Sequence, residues 1–458
     1  MNDRALPDPT ATSLAEQLLA EHFGRTQDQL CVDGHRVETL LERFGSPLFV
    51  YRAQAMRSAL HQLRRATHDQ VDVHYSVKAN PNPAVIRLFA DQGAGAEVAS
   101  AAEYVLAQRA GIAAKRIVFA GPAKSESELA HVLSHGIGEI HLESEHEISR
   151  LTELTRRLGC RVQVAIRVNP TAHALGGSMR MGGRPAPFGF DEEDLAAVAA
   201  RIEAAAGLDL VGVHMFAGTQ ILDADVLLGQ WAHGLAVAER LAAQIGRPLT
   251  TIDLGGGLGI PYFKSERALD LERLREGVPQ LLARKQASRL LREARLIVEP
   301  GRFLAGPAGL YLSRVNAIKR SRDETFVITD GGMHHHLAAS GNLGQVIKKD
   351  FPVLLANRLT PPPSMAATVC GPLCTPLDVL SRRTLLPPTQ VNDIVCVMQS
   401  GAYALSASPN GFLSHPTPAE VLVDGAEIRV IRQRGCFERP YRDPEPDFSP
   451  PRRVSDEC

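Results

Sequence analysis

The chain has 458 residues, 22% of them charged, and its 50 Lys and Arg balance 51 Asp and Glu, so no charge surplus points to nucleic acid or an anionic membrane as partner. A chain of this length exceeds what one core usually organises and predicts two domains. Seven cysteines, at 31, 160, 370, 374, 396, 436 and 458, are too sparse and uneven for a disulfide framework, and no window reaches the roughly 20 apolar residues of a membrane span.

The N-terminus shows no apolar leader, so a soluble protein of the reducing cytoplasm is expected. Residues 1–44 carry no repeating pattern and are expected to add a helix and a strand to the second domain. From Gly45 to about Gly306, short β-rich runs alternate with amphipathic stretches, the pattern of βα units around a parallel sheet. Strands are predicted at VDVHYSV (71–77), AEVAS (96–100), RIVFA (116–120), EIHLE (139–143), VQVAIRVN (162–169), LVGVHMF (210–216), TIDL (251–254) and LIVE (296–299).

Between them, Val85, Leu88 and Phe89 recur at helical spacing. Ser100 with Glu103, Ser125 with Glu128 and Ser144 with Glu147 have the spacing of capping boxes. Eight units predict a (β/α)8 barrel over residues 45–306. Past Gly306, GLYLSRVNAIKR, TFVITD, DIVCVMQ and AEIRVIRQ, broken by Pro and Gly turns, predict an all-β domain over 307–435. The segment 436–458 is Pro-rich and charged, and is expected to be disordered.

Active-site residues of such barrels lie at the carboxyl ends of the strands, and unusual residues fall there repeatedly. Lys78 follows the first strand. The seventh strand runs into Gly255, Gly256 and Gly257, and the eighth into Glu299, Pro300, Gly301 and Arg302. Loops after strands seven and eight commonly bind phosphate; glycines admit an anion close to backbone N–H groups, and Arg302 adds a fixed cation. Glu299 is suited to pair with a protonated pyridine nitrogen, or else with Arg302. His214 offers a flat imidazole for stacking, or a hydrogen-bonded core position.

Together, YSVKAN (75–80), AEVAS, IRVNP (166–170), GVHMFAGTQ (212–220), DLGGGLGIPY (253–262), EPGRFL and GAYALSASP (401–409) resemble the fold-type III pyridoxal-phosphate (PLP) decarboxylases. That family includes the diaminopimelate, ornithine and arginine decarboxylases. The resemblance spans roughly residues 45–415. It implies an alanine-racemase-like (β/α)8 barrel joined to a C-terminal β-sandwich or barrel domain, α/β plus all-β, in a homodimer with shared active sites. By matching positions, Lys78 would hold PLP as a Schiff base and His214 would stack on its ring. Thr219, Gly255, Gly256, Gly257, Gly301, Arg302 and Tyr403 would surround the phosphate, with Glu299 at the pyridine nitrogen and Glu97 and Arg167 beside the ring. Arg302 would also serve the substrate.

The resemblance further implies that a second chain contributes Cys374, in VCGPLCTPLD, to return a proton to the reacting carbon. Asp378 would contact the far end of the substrate. The chain departs from the diaminopimelate enzymes, which carry a glutamate after that cysteine and an arginine and tyrosine in an RPALY-like segment: here Thr375 follows Cys374, and residues 330–352 hold neither. Ornithine and lysine enzymes place an acid after the cysteine, a part that Asp378 and Asp330 are left to fill.

DGGMHHHLAASGN, CGPLCTPLD and SASPNGFLSHP resemble most the branch holding the decarboxylase of glutamate tethered to an acyl carrier protein, and exosortase-associated relatives. The expected activity is therefore decarboxylation of an amino acid or aminoacyl group in biosynthesis, with a free diamino acid as the alternative. A racemase is disfavoured by Glu299 and an inactive PLP-binding relative by Lys78 and Cys374. His334, His335 and His336 are not expected to bind a metal, since neighbours on a strand face opposite ways; a loop shaping the substrate end is expected there. Lys348 and Lys349 either meet an acidic carrier protein or sit on a solvated turn.

Overall fold

The computed structural model describes residues 13–171, 179–180, 185–216, 218–343 and 348–443. Eight strands form a parallel barrel: β1 (Asp72–Ser76), β2 (Gly95–Val98), β3 (Ile117–Phe119), β4 (Glu139–Leu142), β5 (Val162–Asn169), β6 (Leu208–Met215), β7 (Thr251–Asp253) and β8 (Arg295–Val298). β8 pairs with β1, Ile297 opposite Asp72, and β4 with β5, Ile140 opposite Val164, so the sheet closes on itself. All eight strands lie where the sequence predicts them. β2, β3 and β4 are buried at every position, because one face fills the barrel and the other meets the surrounding helices.

The helices form for the reasons legible in the sequence. In Pro83–Asp91, Asn82 caps the backbone of Ala84, and Val85, Leu88 and Phe89 turn inward. Ser125 and Glu128 close a full capping box. Ser100 and Ser144 close only half of theirs: Glu103 reaches one residue further back, to the N–H of Ala99 at 2.7 Å, and Glu147 likewise to Glu143 at 2.8 Å. Each tightens the approach to its helix from the preceding strand.

The second sheet runs in the order Val379–Leu386, Met365–Cys370, Glu324–Thr329, Gly309–Ser321, Leu48–Arg52, Ala419–Asp424 and Glu427–Arg432, with Ile394–Val397 and Val353–Leu355 branching from Gly309–Ser321. Leu48–Arg52 is a correction to the boundary at residue 45. It belongs to this sheet, antiparallel to Gly309–Ser321 and parallel to Ala419–Asp424, so the chain enters the barrel only after it. Ahead of it, helices Leu14–His22 and Val37–Phe44 flank three short strands, Gly24–Thr26, Gln29–Val32 and His35–Arg36, where one helix and one strand were expected. Leu18, Leu30 and Leu40 share an apolar cluster with Leu310, Ile394 and Val421, which fixes this segment to the second sheet.

Two other expectations change. Of the segment 436–458, residues 436–443 are held in place: Cys436 bridges to Arg439, and the N–H of Thr417 donates to the Pro440 carbonyl at 2.7 Å. Residues 444–458 lie outside the described residues. His334, His335 and His336 occupy a turn rather than a strand, with the N–H groups of His335 and His336 both donating to Gly332, and all three are buried.

Candidate active site

At the carboxyl ends of the strands lies a cavity of about 690 Å³, within the usual size of a small-molecule site. Lys78, Glu97, Arg167 and His214 line it, as do Thr219, Glu299, Arg302 and Tyr403. These are eight of the residues expected to serve the cofactor, contributed by five barrel strands with the loops that follow them and by one loop of the second domain.

Lys78 projects from the single turn Val77–Ala79 that follows β1. Its Nζ donates to Glu97 Oε1 at 2.7 Å and Oε2 at 2.6 Å, and Ser76 Oγ donates to the same carboxylate at 2.6 Å. Burial alone would lower the Lys78 pKa, but the negative charge of Glu97, with lesser contributions from Tyr403 and Glu299, outweighs it and holds the amine above the ordinary lysine value.

At the floor, His214 Nε2 lies 3.2 Å from Glu299 Oε2. Burial pushes the His214 imidazole below its usual value, with Glu299 pulling the other way. For Glu299, burial opposes ionisation, yet His214, His141 and Lys78 together keep the carboxyl well below the usual carboxylate range. Arg167, at the end of β5, donates to Glu143 at 2.6 Å and lies over Phe188 at 5.1 Å.

Arg302 donates to the Tyr262 hydroxyl at 2.9 Å, and its guanidinium lies 4.6 Å from the ring centre of Tyr403. Tyr403 is anchored by its N–H on the Ala79 carbonyl at 2.7 Å, beside Lys78. Gly255 and Gly256 are required by packing: a Cβ would stand 2.1 Å from the Met215 carbonyl oxygen at the first and 2.5 Å from that of Glu299 at the second. Gly255 also has φ +70°, and its N–H is already given to Asp253 at 2.8 Å. Gly257 and Gly301 are similarly crowded by Gly218 and Ala79.

The residues fit a flat anionic cofactor that carries an aldehyde. Glu299 Oε1, His214 Nδ1 and Arg302 Nε are buried with no hydrogen-bond partner, an arrangement that costs stability unless a ligand meets those atoms. An amine, an aromatic-stacking surface, a buried carboxylate and a guanidinium thus surround one space.

The residues expected at the substrate end behave differently. Cys374 is exposed, and neither it nor Thr375 lines the cavity of its own chain. Asp378 is buried, and its two oxygens accept from the N–H groups of Met333 at 2.6 Å and Leu373 at 2.9 Å. Asp330 accepts from the Arg314 N–H at 2.9 Å. Both carboxylates accept from backbone N–H groups, and neither lines the cavity of its own chain. The segment 330–352, where a loop shaping the substrate end was expected, supplies Ala338, Leu343 and Phe351 to the cavity wall, and Phe263 and Glu266 join them, none of the five singled out from sequence. Apolar residues in a loop carry no chemical signature, although Tyr262, another lining residue, sat within DLGGGLGIPY.

Comparisons with known proteins agree with this geometry. The family model for the pyridoxal binding domain of pyridoxal-dependent decarboxylases matches residues 53–306. The chain belongs to that family, and it is a PLP-dependent amino acid decarboxylase with the alanine-racemase-like fold. It is 36% identical over 410 residues to the L-glutamyl-[BtrI acyl-carrier protein] decarboxylase of Niallia circulans, covering 89% of this chain and 95% of the relative. It is 31% identical over 415 residues to the diaminopimelate decarboxylase of Aquifex aeolicus, covering 90% and 94%. The crystal structure of the diaminopimelate decarboxylase from M. jannaschii matches with a TM-score of 0.83 at 25% identity, covering 91% of this chain and 96% of that one.

Proposed function

We propose that the enzyme removes the α-carboxylate of an aminoacyl group whose far end runs out of the cavity, as in glutamate tethered to an acyl carrier protein. The observation that carries this reading is the wall formed by Ala338, Leu343, Phe351 and Phe263, together with the commitment of Asp330 and Asp378 to backbone N–H groups. A free diamino acid would bring a distal ammonium to this wall, and a buried charge without its partner costs about 3–5 kcal/mol. Glu266 does line the cavity, but its Oε2 accepts from the N–H groups of Tyr262 and Phe263. The 36% identity to a carrier-protein-linked glutamate decarboxylase supports the same reading.

PLP, when bound, supplies the electron sink for loss of the carboxylate. Lys78 would hold it, its amine positioned by Glu97 across their 2.6 Å contact. His214 would offer its ring as a platform and Glu299 would keep a proton on the pyridine nitrogen. Thr219, Gly256, Gly257, Gly301, Arg302 and Tyr403 would receive the phosphate, with Gly255 shaping the turn behind them, and Arg167 would close the side of the cavity. Because Cys374 is exposed and outside its own cavity, we infer a homodimer in which it completes the partner's site, with Thr375, as the proton donor to the α-carbon. The six described cysteines are free thiols, which supports a cytoplasmic setting. A carrier-linked substrate places the reaction in biosynthesis.

The test incubates PLP-loaded protein separately with L-glutamate, L-lysine, L-ornithine, L-arginine, meso-diaminopimelate and a glutamyl-carrier protein, following carbon dioxide and product mass. Release from the tethered glutamate alone is expected. Release from a free diamino acid, with none from the tethered one, overturns the reading.

A further inference from the structure

Beneath the cavity floor the barrel interior holds a set of ionisable side chains for which the reaction as described has no use. Alternation along β4 sends Ile140 and Leu142 one way and Glu139 and His141 the other, and all four are buried. The imidazole of His141 stacks on that of His214, with ring centres 4.3 Å apart and planes inclined by 28°. Behind it, His141 Nε2 lies 3.3 Å from Glu139 Oε1 and 3.9 Å from Asp253 Oδ2. One face of His214 is therefore covered by protein, and only the opposite face is left for a flat ligand.

We propose that His141 is a positioning residue of the cofactor site: held from behind by Glu139 and Asp253, its ring backs that of His214 and sets the plane and the charge of the His214–Glu299 pair. Three carboxylates and two imidazoles meet here in a space without exposed surface, so their protons are distributed as a group. Asp253 is driven well above its usual pKa by burial and then by Glu299 beside it, which leaves it the neutral member. Glu139 stays ionised against its own burial through His141, Thr251 and Arg295. His141 thus sits between an ionised and a neutral carboxyl, with Arg167 and Lys78 acting on the pair above it.

The test titrates apoprotein with PLP by absorbance, giving a Kd and the pH midpoint of the bound cofactor's absorption between about pH 6 and 9. His141→Ala removes the backing ring and should weaken PLP binding about tenfold. His141→Phe keeps a ring but has no ring nitrogens, and should restore most of the affinity while moving the midpoint. Wild-type affinity in the Ala variant, or an affinity loss in the Phe variant as large as in Ala, overturns the proposal. If the Ala variant fails to fold, judged by its thermal melt, the Phe variant decides alone: a wild-type midpoint overturns the proposal and a moved one supports it.

Discussion

Both oxygens of the Glu97 carboxylate lie within 2.7 Å of Lys78 Nζ, so the amine that must become a nucleophile is held as an ammonium in the cofactor-free protein. Glu97→Gln removes the largest influence raising the Lys78 pKa. The variant's Lys78 should then react with an amine-directed reagent at a pH lower by about one unit or more. Peptide mapping of modified Lys78 across a pH series measures this; an unchanged midpoint would show that the ion pair does not govern the lysine. Lys78→Ala should bind PLP without the absorption band of the lysine-bound cofactor.

Ala338 lines the cavity and is 8% exposed. Ala338→Arg would place a bulky cation against Phe351 and Phe263, narrowing the exit that the proposed substrate needs. The KM for a carrier-bound aminoacyl substrate should rise about tenfold or more, with PLP affinity close to wild type. Equal KM values in variant and wild type would move the substrate path away from this wall.

The barrel was legible because several strands end in residues whose chemistry is conspicuous, and because eight short β-rich runs alternating with capped helices leave few other architectures. Leu48–Arg52 was misplaced because LFVYR followed by a helix looks locally like one more βα unit. Only its sequence-distant partners Gly309–Ser321 and Ala419–Asp424 assign it to the other sheet. His141 was invisible for a related reason: within EIHLE it reads as a core residue, and its contact with His214 comes from the pairing of β4 with β5 and of β5 with β6. Asp378 has a role that the sequence does not show: its carboxylate ties two loops together through the N–H groups of Met333 and Leu373.

That tie is testable. Asp378 bridges Met333 and Leu373, and glycines stand at 332 and 371 because a Cβ at either would lie 2.2 or 2.3 Å from its oxygens. Asp378→Asn turns an amide N–H toward backbone donors and should cost about 1–3 kcal/mol in unfolding free energy. Urea denaturation at neutral pH measures the loss. A variant as stable as wild type but altered in KM would return Asp378 to the substrate.

His334 is fully buried with neither ring nitrogen hydrogen-bonded, its ring packed at a tilt against His335 at 3.7 Å and His415 at 4.9 Å. Burial, and then the charge of His415, lower its pKa from 6.5 to about 3. Between those values the unfolded chain binds a proton that the folded protein refuses, so the stability His334 allows is present above pH 6.5 and is lost as pH falls toward 3. The loss reaches about 1.4 kcal/mol for each pH unit in that window. His334→Phe fills the same space without a titrating group and should lose less stability than wild type as the protein is acidified. Urea unfolding at about pH 6.5, 5.5 and 4.5 follows the difference between the two proteins. A gap that stays constant across the three would mean that His334 takes up its proton in the folded state as readily as in the unfolded one, and acid sensitivity would then have to come from other groups, the buried His335 and His336 among them.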